Sequence, residues 1–265
     1  MGRDVVTGVG FLLRGMGMYA RRPRLMLLGL IPALIAGVLL IGALVALAYF
    51  SDDLAEVVTP FADGWTGTAR GLVRAAAQVA VVGVGLLLSV ILFTGLTLAI
   101  GEPFYEAISK SVDDGLGGVP GGGIDVPFWR ALPRGLADSA RLLVATALIG
   151  IPLFVAGFIP VVGETVVPVL GALVGGWFLA IELTGVPFER RGLRLRERRR
   201  ALRTRRGLAL GFGAATFVCF LIPLGAVLVM PAAVAGATLL CRHISGLPVE
   251  EGSGPRGSAV APNVG

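Results

Sequence analysis

The sequence predicts an all-α, polytopic integral membrane protein with two long transmembrane helices and two proline-broken helical hairpins, re-entrant or hemi-penetrating. Three observations predict it. Residues 25–51, 75–101, 142–163, 165–181 and 207–241 contain no Asp, Glu, Lys or Arg, and an uncharged apolar stretch of about 18 residues reads as membrane-embedded. These windows are continuously apolar rather than alternating, which disfavours a transmembrane β-barrel. Finally, 55% of the 265 residues are hydrophobic and 15% charged, against roughly 25% charge in soluble domains. That balance excludes a water-soluble globule. It also excludes disorder despite 40 Gly, because disorder needs low hydrophobicity.

Residues 1–24 are expected to form an amphipathic interfacial helix. Val5, Val9, Leu12, Met16 and Tyr19 fall within about 40° of one line on a helical wheel, with Arg3, Arg14 and Arg21 opposite. Gly8, Gly10, Gly15 and Gly17 weaken the helix. The arginine-rich start lacks a short apolar core and small-residue cleavage site, so no cleavable signal peptide is expected. Residues 25–50 form the first crossing, about 39 Å long at 1.5 Å per residue. Ser51-Asp52-Asp53 ends it, and the acidic stretch 51–74 is placed outside. Residues 75–101 return to the cytoplasm, where Glu102-Pro103-Phe104-Tyr105-Glu106 begins a polar stretch.

The run Gly-Leu-Gly-Gly-Val-Pro-Gly-Gly-Gly at 115–123 lacks the Gly-Lys-Ser/Thr of a phosphate-binding loop and reads as a flexible connector. Residues 128–141 place Arg130, Arg134 and Arg141 on one helical stripe. The apolar region 142–181 is broken by Pro152, Pro160, Gly163 and Pro168, with Glu164 at its middle. Ten arginines crowd residues 190–206, which must be cytoplasmic. Region 142–181 therefore enters and leaves on one side, by two crossings or by re-entrance. Region 207–241 has the same architecture. Ile151-Pro152-Leu153 with Ile159-Pro160 matches Ile222-Pro223-Leu224 with Met230-Pro231. Interrupted helices in corresponding positions point to a transport site. The membrane domain thus spans 25–245, followed by a disordered tail, 246–265.

The charge pattern narrows function. Twenty-two Arg, one Lys and 17 acidic residues give a net charge of +6. In a membrane protein this reflects cytoplasmic loops, so no nucleic-acid partner is expected. Cys219 and Cys241 give no disulfide framework, and the single histidine, His243, builds no zinc site. No catalytic set is present, so the protein is not expected to be an enzyme, and no cofactor or metal is implied. Glu164 is the one carboxylate inside an apolar region and marks either the far surface or a functional site. Arg21-Arg22-Pro23-Arg24 opens the first crossing. Pro23 suits a helix start, whose free N–H groups bind anions, and Arg22 and Arg24 add forked donors for an oxyanion.

The order of pieces resembles the CysZ family of sulfate permeases, grouped with the etoposide-induced-2.4-like membrane proteins. The resemblance covers about residues 5–243. It is carried by Arg22-Pro23-Arg24-Leu25 with Pro32, by Pro103-Phe104-Tyr105-Glu106 with Val112-Asp113, and by Arg190-Arg191-Gly192-Leu193 with Arg196 and Gly211-Phe212-Gly213. The ending runs from Ile222-Pro223 through Met230-Pro231-Ala232-Ala233 to Gly236-Ala237-Thr238. The resemblance implies two long helices plus partly penetrating hairpins, a bacterial cytoplasmic membrane location, and sulfate uptake for sulfur assimilation and cysteine biosynthesis. The family's paired anion-holding arginines fall at Met26 and Leu27, with Arg24 where the family has Gly. That site is not carried over, which leaves Arg22, Arg24, Arg130, Arg134 and Arg141 as the anion-binding candidates. The expected partners are the lipid bilayer and an inorganic anion, sulfate in the first place; homo-oligomerisation is left open. The alternative function is a non-transporting membrane scaffold or assembly protein.

Overall fold

A computed structural model describes residues 2–123, 128–222 and 224–250, with residues 128–132, 134 and 135 given by backbone alone. Pro223 and the tail from 251 onward lie outside the described residues. The elements are α1 (Gly2–Arg21), α2 (Pro23–Tyr49), α3 (Ser51–Val58), a 3-10 turn at Pro60–Ala62, α4 (Gly67–Asp114), α5 (Phe128–Ala156), α6 (Val162–Leu183), α7 (Gly185–Glu189), α8 (Leu195–Thr204), α9 (Arg206–Phe220) and α10 (Gly225–Ile244). Among the described residues no strand occurs. The protein is thus all-α and, by length and composition, multi-pass. Helices α2, α4, α6 and α10 and residues Leu136–Ala156 of α5 are long and apolar enough to cross a membrane. At 1.5 Å per residue, α6 reaches about 33 Å and matches a hydrocarbon core of about 30 Å. Helix α9, with 15 residues, reaches only about 22 Å.

The chain divides into two compact units, one of Met1–Leu28 with Tyr105–Gly265, the other Gly29–Phe104. In the first, α1 packs on α9 and α10, α6 on α9, and α5 on α6. Glycine makes these contacts close. A methyl group on Gly8 would lie 2.8 Å from the Phe212 nitrogen, and one on Gly15 2.6 Å from the Gly236 nitrogen. On Gly176 it would lie 2.5 Å from the Ala214 nitrogen. Small residues let helix backbones touch in this way. The buried face of α1 is Gly8, Phe11, Leu12 and Gly15. That face is rotated roughly 70° from the stripe Val5–Val9–Leu12–Met16–Tyr19, counted at 100° per residue. Glycine weakens an isolated helix, but here Gly8 and Gly15 are part of the contact surface.

Helix α4 does not end at Gly101. It continues to Asp114 because Tyr105, Ile108 and Val112, all buried, repeat at helical spacing and give the polar stretch an apolar face. The loop after it is built rather than loose. Gly117 and Gly118 have φ of 92° and 75°, a conformation that favours glycine. The Gly118 N–H donates to the Asp113 carbonyl at 2.8 Å, capping the helix.

Both hairpins turn through a strained residue. Val161 (φ 70°) precedes α6 and Leu224 (φ 61°) precedes α10. The equivalent pieces are therefore Ile159-Pro160-Val161 and Ile222-Pro223-Leu224 in the sequence. The pairing drawn from sequence was displaced, since Pro152 lies inside α5. Glu164 sits in the first turn of α6, where a helix start favours a carboxylate.

In the second unit, arginines of α4 tie down the acidic connection. Arg74 donates to Glu56 at 2.6 Å and Asp63 at 3.2 Å. Arg70 donates to the Asp63 carbonyl, and Gln78 to Asp52. An apolar groove of about 370 Å³ lies between Leu47 of α2 and Val81, Val84 and Leu88 of α4.

Two alanine substitutions in α1 test the glycine contacts. Gly8→Ala is expected to destabilise the purified protein by about 1–3 kcal/mol through overpacking. Gly10→Ala meets nothing within 4 Å and is expected to stabilise it by about 0.5–1 kcal/mol. Unfolding in detergent micelles reads both, and equal effects would contradict the packing.

Candidate functional site

The C-terminal end of α4 carries a charge centre that the sequence did not assemble. The Asp113 side chain has no exposed surface, and three arginines converge on it. Arg191 Nη2 donates to Oδ1 at 2.7 Å and Nη1 to Oδ2 at 3.4 Å. Arg242 Nη1 donates to Oδ1 at 3.1 Å. Arg190 Nη1 stands 3.6 Å from Oδ2 as an ion pair without a hydrogen bond, and its Nε and Nη1 are buried with no hydrogen-bond partner. A forked guanidinium suits a shared carboxylate, and burial strengthens every such charge interaction.

Local sequence explains the convergence. Thr184 donates to the Ala180 carbonyl at 2.7 Å, and the short α7 carries Arg190 and Arg191 past its end. Gly192, at φ 75°, reverses the chain so that Leu193 N–H reaches the Phe188 carbonyl at 3.0 Å. Arg242 stands in the last turn of α10, where a cation complements the helix dipole. Its guanidinium also donates to the carbonyls of Gly118 at 2.8 Å, Leu116, and Pro248 at 2.7 Å. The glycine-rich loop is thereby clamped. One helical turn away from the Asp113–Arg242 pair, the hydroxyls of Ser109 and Thr238 meet at 3.0 Å. Together they form a buried polar seam between α4 and α10.

A second node surrounds Arg198, which is buried. It donates to the Ile181 carbonyl at 3.1 Å and pairs with Glu189 at 3.7 Å and Asp138 at 3.8 Å. The missing side chain of Gly185 makes room for it. Burial, opposed by Arg198 and reinforced by Asp138, Glu182 and Glu106, pushes the Glu189 carboxyl above its ordinary 4.5.

Of the five arginines expected to hold an anion, Arg22 is seen against Gly115, in the loop that follows Asp113. Its Nη1 lies 2.8 Å from where a side chain on Gly115 would begin. Its carbonyl accepts from Leu25 at 2.9 Å, so Arg22 caps α2 with Pro23 in the first turn. Arg24 is exposed on that same turn. Arg141 is exposed and paired with Asp138 at 3.0 Å, within the Arg198 node. Arg130 and Arg134 lie on α5, but their side chains fall outside the described residues. Arg190 and Arg191 were missed because the arginine run reads as a topology signal, and Arg242 because it stands alone at the end of an apolar region. The helical repeat of Tyr105, Ile108 and Val112 was the signal that would have carried α4 on to Asp113.

The chain is similar in sequence to known proteins. A family model described as sulfate transporter CysZ/etoposide-induced protein 2.4 matches residues 11–231. The sulfate transporter CysZ of Vibrio atlanticus (strain LGP32) is 31% identical over 242 residues, covering 88% of this chain and 91% of that protein.

Glu189 gives a pH test. A carboxyl raised in the fold keeps its full stabilising effect below the unfolded value, and that effect is lost as pH rises through the raised value. Stability in detergent is therefore expected to decline as pH rises from about 4.5. Glu189→Gln is expected to remove that decline. An unchanged pH profile would show that Glu189 is not the group responsible.

Proposed function

The chain belongs to the sulfate transporter CysZ/etoposide-induced protein 2.4 family, and on that premise we propose that it moves sulfate inward across a bacterial cytoplasmic membrane to supply sulfur assimilation. The observation that carries this reading is the near full-length match to a sulfate transporter. The buried arginines at the end of α4 support it, since guanidinium groups in a desolvated site favour an oxyanion. In this reading the N-terminus, residues 101–141, residues 183–207 and the C-terminus face the cytoplasm, as their arginines require. Arg22 and Arg24 at the head of α2, with Arg130, Arg134 and Arg141 along α5, draw the anion toward the protein. No cofactor and no catalytic step enter the reading, and nothing in the fold favours a scaffold role over it.

Uptake of radiolabelled sulfate into proteoliposomes tests the proposal. Saturable uptake above that of protein-free liposomes is expected. Arg24→Ala is expected to lower it by on the order of tenfold, because a lost charge-assisted hydrogen bond is worth roughly 1.5–3 kcal/mol. Arg24→Lys is expected to recover part, since an ammonium lacks the planar fork. Folded protein that transports no more sulfate than empty liposomes would overturn the reading, and Arg24→Ala flux within about twofold of the parent would remove Arg24 from it.

A further inference from the structure

The Asp113 centre is charge-imbalanced. Among the described residues, Asp113 is the one carboxylate ion-paired with Arg190, Arg191 or Arg242, so three cations share one anion. Arg191 and Arg242 already supply the hydrogen bonds to its oxygens. Arg190 is the surplus cation. Its side chain is 6% exposed, and its Nε and Nη1 donate to nothing. A buried charge that lacks full pairing is costly, and a buried unmade hydrogen bond adds to that. Gly123, which has no side chain, lies beside Arg190. A carbon placed on Gly123 would be 3.4 Å from Arg190 Nη2 and 3.6 Å from Nε, so Gly123 packs against that edge of the guanidinium. Gly123 has no positive φ, and its backbone conformation therefore does not demand glycine. An unmatched cation and two idle donors share one spot, with Gly123 against it.

We propose that Arg190, in the Asp113–Arg191–Arg242 centre and bordered by Gly123, is a binding site for a tetrahedral oxyanion. The ligand carries at least one negative charge and offers several acceptor oxygens, to which an idle donor of Arg190, Nε or Nη1, would donate. Sulfate has this chemistry, and choosing it rests on the transport reading above. Free phosphate and the phosphate of an anionic lipid headgroup share it. Asp113 sets the site's strength: it holds Arg191 and Arg242 in place and leaves Arg190 to the ligand.

Isothermal titration of the purified full-length protein in detergent micelles tests this, with sodium sulfate, sodium phosphate and short-chain phosphatidylglycerol titrated separately. The parent is expected to bind sulfate at one site, and Arg190→Gln to weaken it by at least about tenfold. Arg190→Lys is expected to recover part. Gly123→Val, which keeps every charge but crowds the guanidinium edge it faces, is expected to weaken binding as well, and it serves if Arg190→Gln does not fold. Sulfate affinity within about twofold of the parent in a folded Arg190→Gln or Gly123→Val protein would overturn the site while leaving transport to the flux assay. Binding of phosphate or phosphatidylglycerol but not sulfate, lost in both variants, would uphold the site and count against sulfate as the cargo. A parent that binds none of the three would overturn the site.

Discussion

The buried carboxylate of Asp113 and the guanidinium groups around it hold together parts of the first unit that are distant in sequence. Through Arg191 and Arg242 it joins the end of α4 to the turn after α7 and to the last turn of α10. Arg242 carries the link onward to the loop at Leu116 and Gly118 and to Pro248. Removing one partner of a buried charge pair typically costs about 3–5 kcal/mol, because the other is left desolvated. The Ser109–Thr238 contact lies one turn away on the same two helices and extends the polar contact along the seam. Three arginines on one carboxylate are more than a structural clasp needs, which is why the same centre suits an anion.

In the first unit, glycines bring helices into close contact beside buried Phe11, Phe188 and Phe212. Helices α1, α9 and α10, and α6 with α9, approach until backbone meets backbone. Water-soluble proteins gain from burying large apolar groups, but lipid is as apolar as leucine, so close van der Waals contact must supply association within a membrane. The exposed leucines and valines of α2, α4 and α5 are consistent with helices that face lipid over much of their length.

Much of the fold was legible in the sequence. The charge-free windows and the hydropathy gave the apolar helices, and Pro23 after Arg22 marked the start of α2. Local pattern failed where long-range contact decides. The end of α4 was cut short because Glu102 and Glu106 read as a loop, although Tyr105 and Ile108 behind them face the core. The stripe on α1 was misplaced because hydrophobicity scales do not see a glycine as a contact surface. The hairpin repeat was aligned on Pro152, which α5 absorbs, rather than on Pro160, where the chain turns. The candidate site was the least legible part. Arginines at 190, 191 and 242 lie in three-dimensional company with Asp113, more than 75 residues away from it in the sequence, and no spacing rule reaches that far. Arg22 was anticipated from its place before Pro23, and the fold sets it beside Gly115.

A double-mutant cycle between Asp113→Asn and Arg191→Gln, read by unfolding in detergent micelles, tests most directly whether the charge centre holds the first unit together. The account predicts that the two substitutions are strongly non-additive, with a coupling of about 2 kcal/mol or more, as befits a buried and directly hydrogen-bonded pair. Additivity within about 0.5 kcal/mol would mean that Asp113 and Arg191 act independently, and would contradict it.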